Sequence, residues 1–200
     1  MNLPDYSYEK RIWELKKISA GVDEAGRGPL AGPVVAAAVI LPEGCEIDGL
    51  NDSKKLSAEK RESLFHQIKS LAIVTGIGIV EPEEIDRINI LRATLLAMEI
   101  AVKNLSPQPD YLLIDGNTRT SLLIPQQTVV KGDSRCCSIA AASIIAKVIR
   151  DSIMDDYHKI YPEYNFKKHK GYPTKEHFEA LRRFGPCPIH RKTFKGVSLR

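Results

Sequence analysis

The apolar positions of this chain change period along its length. Ile18 to Asp23 and Val34 to Leu41 are unbroken runs of small and β-branched residues, too short for helices, and read as strands. The segment Ala25 to Pro33 between them carries glycines at 26, 28 and 32 and reads as a loop. Residues 5–17 read as a short charged helix before the first strand. Beyond the polar loop Asn51 to Leu56, Ser57 is an expected N-cap for a helix over Ala58 to Ser70, followed by a third strand, Leu71 to Val80. Pro82 opens a helix to about Ile88, Asn89 caps another through Leu105, and Pro107 and Pro109 close it. Tyr111 to Ile114 and Gln127 to Val130 are further strands. Ser134 or Ser138 is expected to cap a long helix to about Tyr161, with Ile139, Ala142, Ile145, Ile149 and Ile153 on one face. Thr174 caps the last helix, to about Phe184.

Three early strands followed by strands alternating with helices predict an α/β fold: a mixed sheet flanked by helices, with a C-terminal helical segment against it. Two hundred residues support one sizeable core. The expected division is a main domain over 1–161 and a helical segment over 162–200, with Pro162 to Pro173 as the seam.

Charge sharpens that division. The net charge is +4, but residues 158–200 hold eleven Lys and Arg against three Asp and Glu, together with seven of the thirteen aromatic residues. Basic side chains interleaved with Tyr and Phe suit a nucleic-acid backbone; a solvated helix with aromatics buried beneath it has the same composition. No stretch approaches the roughly 20 apolar residues of a membrane helix, and the charged N-terminus lacks a signal core, so a soluble, cytoplasmic protein is expected. Cys45, Cys136, Cys137 and Cys187 form no Cys-x-x-Cys pair, which fits a reducing compartment; Cys187 and His190 are at most half of a zinc site.

The candidate chemistry lies in the carboxylates. Asp23 and Glu24 end the first strand, Asp115 ends a later one, and Asp133 sits between a strand and the long helix. Singly, each is more often a turn former or helix cap. Together, convergent acids at strand ends repel one another unless cations lie between them, and magnesium or manganese is the natural choice for oxygen ligands. Two such ions suit phosphodiester hydrolysis. Adjacent Asp23 and Glu24 face opposite sides of an ideal strand, so a shared site requires that strand to end or bend at the glycine loop. That loop allows close backbone approach to a sugar–phosphate chain, with Arg27 available to phosphate; a tight structural turn is the competing account.

Gly21 to Pro29, Asp52-Ser53-Lys54, Ile114-Asp115-Gly116, Lys131-Gly132-Asp133, Ser138 to Lys147, Arg150-Asp151 and His169 to Tyr172 together resemble the type 2 ribonuclease H family, ribonuclease HII, from about residue 18 to 195. The resemblance implies an RNase H-like fold, a magnesium or manganese site of Asp23, Glu24, Asp115 and Asp133, and endonucleolytic cleavage of the RNA strand of RNA–DNA hybrids. It also implies incision 5′ of ribonucleotides embedded in duplex DNA, leaving a 3′-hydroxyl and a 5′-phosphate. By the same resemblance, Gly26, Arg27 and Gly28 read the ribose 2′-hydroxyl and Tyr172 stacks on the adjoining deoxyribose. The segment 162–200 would then complete the substrate surface of a catalytic domain over 1–161. Lys54 resembles a phosphate contact, with a solvated loop lysine as the alternative. Asp151 is expected to make a structural pair with Arg150 or a neighbour. His169 and Lys170 are expected to meet phosphate or water, and the Cys136-Cys137 pair to be semi-buried. A monomer is expected, and recruitment by a sliding clamp is left open.

Two rivals remain at this level. A junction resolvase or strand-transfer enzyme would use clustered acids and two metals on all-DNA substrates, with no task for the Gly-Arg-Gly loop or Tyr172. A non-catalytic nucleic-acid-binding module would use the basic tail and leave the acids unexplained.

Overall fold

Five strands make one mixed sheet, seen in a computed structural model that describes residues 3–197; the outermost residues of the two expected segments, 1–2 and 198–200, lie outside the described residues. The strands are β1 (Ser19–Ala25), β2 (Val34–Ile40), β3 (Val74–Val80), β4 (Tyr111–Asp115) and β5 (Gln126–Val129), in the order β3-β2-β1-β4-β5. β3, β2 and β1 run antiparallel, β1 joined to β2 by the glycine loop and β2 to β3 by way of a helix, whereas β4 and β5 run parallel to β1. Parallel pairing requires crossovers, which the helices supply. They are α1 (Ser7–Trp13), α2 (Ala58–Leu71), α3 (Pro82–Ile88), α4 (Ile90–Lys103), α5 (Cys137–Ile160), α6 (Phe166–His169) and α7 (Lys175–Phe184).

β2 reads Val-Val-Ala-Ala-Ala-Val-Ile and is buried at every position, as expected of a strand covered on both faces. Ala36 and Ala38 pack under α4, with Ala93, Ala97 and Ala101. Ala37 and Val39 pack under α2 and α5, with Leu64, Ile68 and Ala140 to Ala142. Small residues bring the helices onto the strand backbone. A Cβ on Gly76 or Gly78 would lie 2.0 or 1.9 Å from the carbonyl oxygen of Ala101 or Ala97, and one on Gly21 would lie 2.1 Å from the carbonyl carbon of Ser138.

Several boundaries depart from expectation. α1 stops at Trp13, and Lys16 takes a left-handed φ of 55°. α2 extends through Leu71, which shortens β3 at its start. β1 does not end at Asp23 but continues, paired with β2, to Ala25. Neither Ser134 nor Ser138 caps α5: the cap position is Cys136, whose side chain makes no capping hydrogen bond to the helix amides. The first ten residues of α5 are buried all round, so its apolar positions serve two clusters, Ile139 facing Leu113 and Val129 while Ala142 and Ile145 face β2.

The C-terminal segment folds on its own small core against the end of α5. Tyr164 and Phe166 stack at 5.3 Å and pack with Met154, Leu181, Ile189 and Leu30. Most aromatics of the basic tail are thus core residues, leaving Tyr172 and Phe184 largely exposed. No described helix is long and apolar enough to cross a membrane.

Candidate active site

The β1–β4 ladder stops at Val22–Ile114, so the strands part just before Asp23 and Asp115. This lies at the carboxyl ends of parallel strands, where open α/β sheets assemble their sites. Gly21 packs on α5, so Asp23 faces α5 and Glu24 faces α4 by strand alternation. Glu24 accordingly shares a small cleft with Arg27, Leu91, Thr94, Met98 and Asp115 to Thr118. Both acids still reach one place, at the strand edge left open where β4 departs. One oxygen each from Asp23, Glu24 and Asp115 lies within 4.8 Å of the others. β1 ends one residue beyond Glu24, at Ala25, where the glycine loop begins.

Asp133 approaches from the α5 side. Lys131, at φ 55°, starts a 3-10 turn over Gly132–Ser134, and the Gly132 amide donates to Asp115 Oδ1 at 2.6 Å. That bond ties the turn carrying Asp133 to the end of β4. Asp133 stands beside the close trio, near enough for its charge to act on Asp23.

Burial pushes the Asp23 carboxyl well above its ordinary range, and Glu24, Asp115 and Asp133 push it further, while the Glu24 amide, donating to Asp23 Oδ1 at 2.7 Å, works against this. Burial also raises Glu24, against the pull of Arg27, whose Nη1 is 3.5 Å from Glu24 Oε1. Asp133 is raised by burial and by Asp52 and Asp115, with Lys54 offsetting part. Lys54 Nζ is 3.7 Å from Asp133 Oδ2. Burial works against its ammonium, but Asp133, Asp23, Asp52 and Asp115 outweigh that and hold its pKa above the ordinary value. Four mutually repelling carboxylates with little cationic compensation are an all-oxygen donor set that fits hard divalent ions such as magnesium or manganese.

Asp52, named above without a role, stands close enough to Asp133 for its charge to push the Asp133 carboxyl up. Its neighbour Ser53 fixes the Lys54 turn onto α5 by a 2.7 Å bond with Ser143. The signal for Asp52 was present in the Asp-Ser-Lys run itself.

The Gly-Arg-Gly loop lies on the same face, bordered by Tyr172. A Cβ on Gly28 would be 3.7 Å from Tyr172 Cε1, and the Leu30 amide donates to Gly171 O at 2.8 Å. Two fully buried arginines hold the loop through carbonyls. Arg191 donates to Gly26, Arg27 and Gly32, and Arg150 to Ala31, Pro33 and Lys170. Arg150 therefore does not pair with Asp151, which instead accepts from Lys147 at 2.7 Å.

His169 and Lys170 are also structural. His169 is buried, with Nε2 at 2.7 Å from Tyr164 O and Nδ1 accepting from the Gly171 amide, and Lys170 pairs with Asp155. His177 Nδ1 meets Tyr172 O at 3.0 Å, and its Nε2 meets His190 Nε2 at 2.9 Å. His190 turns its other nitrogen to Cys187, so Cys187 and His177 lie on opposite sides of its ring and make no zinc site. Cys136 and Cys137 are buried rather than semi-buried, and burial raises both thiols.

Residues 20–197 match the family model described as Ribonuclease HII. A ribonuclease HII of Geobacter metallireducens is 55% identical over 207 residues, covering 98% of this chain and 97% of that protein. Among solved structures, ribonuclease H2 from Pyrococcus horikoshii OT3 aligns with a TM-score of 0.75 at 28% identity, over 90% of this chain and 95% of that one. Bst-RNase HIII in complex with Mn2+ aligns with a TM-score of 0.72 at 19% identity, over 90% of this chain and 68% of that one, a likeness of fold.

Proposed function

This chain belongs to the ribonuclease HII family, a family of metal-dependent endoribonucleases acting on RNA–DNA hybrids, and from that premise we propose that it incises the RNA strand of such hybrids and also cuts 5′ of single ribonucleotides embedded in duplex DNA. The observation that carries the reading is the meeting of Asp23, Glu24 and Asp115 within 4.8 Å where β1 and β4 part, beside the Gly-Arg-Gly loop and Tyr172.

Asp23, Glu24, Asp115 and Asp133 would hold the metal. Magnesium or manganese bound there supplies Lewis acidity toward the scissile phosphate, activation of the attacking water and stabilisation of the departing 3′ oxygen. Lys54, with its side chain 77% exposed, is free to swing from Asp133 to a phosphate oxygen. Arg27, half exposed over Glu24, faces the strand being cut. The backbone of Gly26 to Gly28, held by buried Arg191, presents amide and carbonyl groups to a 2′-hydroxyl, the group that distinguishes RNA from DNA. The Tyr172 ring, exposed beside Gly28, offers an apolar face to the next sugar, where a deoxyribose fits best. The segment 162–200 contributes this ring and completes the substrate surface.

The test is a labelled duplex with one ribonucleotide, incubated with magnesium, manganese or chelator beside an all-DNA control and an Asp115→Asn variant. Metal-dependent incision only 5′ of the ribonucleotide, lost in the variant, is the expected result. Cleavage of an all-DNA junction, or tight binding that ignores chelator without incision, would defeat the reading.

A further inference from the structure

α5 packs against β1 and follows the turn that bears Asp133, yet its own side chains leave its N-terminus uncapped. The first amides of a helix need acceptors from elsewhere. Here the acceptor comes from 129 residues away: Glu9 Oε1 accepts from the Ser138 amide at 2.7 Å and from Cys136 Sγ at 3.1 Å. Glu9 is fully buried, and its Oε2 has no hydrogen-bond partner among the described residues. A buried carboxylate in this position is compensated by the positive end of the α5 dipole.

The backbone around Glu9 grips the same segment. The Asp5 amide donates to Arg135 O at 3.3 Å and the Cys137 amide to Asp5 O at 3.2 Å, while Ile12 packs with Cys136, Ile139, Leu113 and Val129. Residues 135–138 are thus held from the α1 side. Directly upstream, the amides of Arg135 and Cys136 donate to Gly132 O at 2.9 and 2.8 Å, and the Gly132 amide donates to Asp115. A continuous set of hydrogen bonds runs from Glu9 through the start of α5 to the turn bearing Asp133 and on to Asp115. The family match begins at residue 20, so α1 lies outside it.

We propose that Glu9 is a positioning residue for the metal site: it caps α5 in trans and thereby fixes the Asp133 turn against Asp115. The proposal rests on the acidic cluster being the metal site, so the test reads the turn both with and without metal. Glu9→Ala, Glu9→Asp and Glu9→Gln are compared with the parent by amide hydrogen exchange over residues 132–139 in metal-free protein, by Mn2+ titration calorimetry, and by steady-state kinetics on an RNA–DNA hybrid. Glu9→Asp keeps the charge but is one methylene short of the Ser138 amide, and it decides the matter if Glu9→Ala does not fold. Glu9→Gln keeps an acceptor oxygen at full reach.

In Glu9→Ala and Glu9→Asp, exchange accelerates through 132–136 as well as at Ser138, Mn2+ affinity falls about tenfold or more, as for other groups that orient metal ligands, and kcat falls while KM holds. Glu9→Gln restores all three to near the parent. Faster exchange confined to Ser138, or a lowered melting temperature with parental Mn2+ affinity and kcat, would reduce Glu9 to a stability element and overturn the proposal. A parent protein that takes up no Mn2+ would instead retire the metal reading, and the exchange pattern over 132–136 would still decide the role of Glu9.

Discussion

Gly21→Ala is a one-methyl perturbation that should separate folding from catalysis. The added Cβ would lie 2.1 Å from the Ser138 carbonyl carbon and 2.4 Å from both Ser138 O and Ile139 N, all backbone atoms of α5. Carbon atoms in contact settle at about 3.5 Å or more, so the first turn of α5 must retreat by about 1 Å. Inserting a methyl into a packed contact costs about 1–3 kcal/mol, and in a domain of this size each kcal/mol lowers Tm by about 2–4 °C. The retreating turn follows Asp133 directly and faces Asp23, two residues along the same face of β1. A misplacement of about 1 Å in a reacting constellation costs on the order of 100-fold in rate. Gly76→Ala is the matched control. Its Cβ would meet Ala101 O at 2.0 Å, an equal insult on edge strand β3, at the end of α4 remote from Leu91 and Thr94. Thermal melts by circular dichroism and initial rates on a labelled hybrid at saturating metal should show similar Tm losses, with a large kcat loss in Gly21→Ala alone. Equal activity in the two variants, at either level, would refute the argument that the α5–β1 contact sets the Asp23–Asp133 relation.

Asp23→Asn should stabilise the metal-free protein: the Asp23 pKa is raised on folding by burial, Glu24 and Asp115, so its favourable contribution is present at low pH and lost as pH rises through the folded value. The same variant should forfeit the Tm gain that Mn2+ gives the parent, worth about 2.7 kcal/mol at a hundredfold excess over Kd; a metal-free Asn variant melting below the parent at pH 7.5 would sink this. Burial holds His177 and His190 near 4, with neighbouring histidine charges adding to it. Their folded values lie below the ordinary 6.5, so their contribution is full above that pH and lost as pH falls toward 4. Urea midpoints should therefore drop between pH 6.5 and 4.5, and a flat profile would contradict the buried, neutral pair. Arg191→Lys cannot reach the carbonyls of Gly26, Arg27 and Gly32 together, and each buried acceptor left unpaired costs about 1–3 kcal/mol. The variant should bind Mn2+ normally but show a raised KM for a ribonucleotide-containing duplex, and unchanged kinetics would count against a role for the loop in substrate recognition.

What was legible in the sequence was local. Thr174 caps α7 and Asn89 caps α4 as their side chains suggest, because an N-cap satisfies amides two or three residues away. The unbroken apolar run of β2 encoded its burial on both faces, and the acids stood out by their places at element ends. What escaped was set by partners distant in sequence. The expectation that β1 ends or bends at the glycine loop holds in that it ends at Ala25, but the departure of β4 after Ile114, which opens the edge where the acids meet, is a fact of pairing that alternation within β1 does not contain. Ser138 looked like a cap, yet its amide is the group being capped, by Glu9. Arg191 counted only towards the charge of the basic tail and Arg150 only as a partner for Asp151, whereas both donate to backbone carbonyls under the glycine loop. These misses share one cause. A carboxylate cluster raises the free energy of the fold that holds it, so its supports must be strong and insulated from solvent, and such supports are buried polar groups with tertiary partners. Hydrophobic periodicity is blind to them, because in sequence a buried Glu or Arg at a helix position is indistinguishable from a surface one.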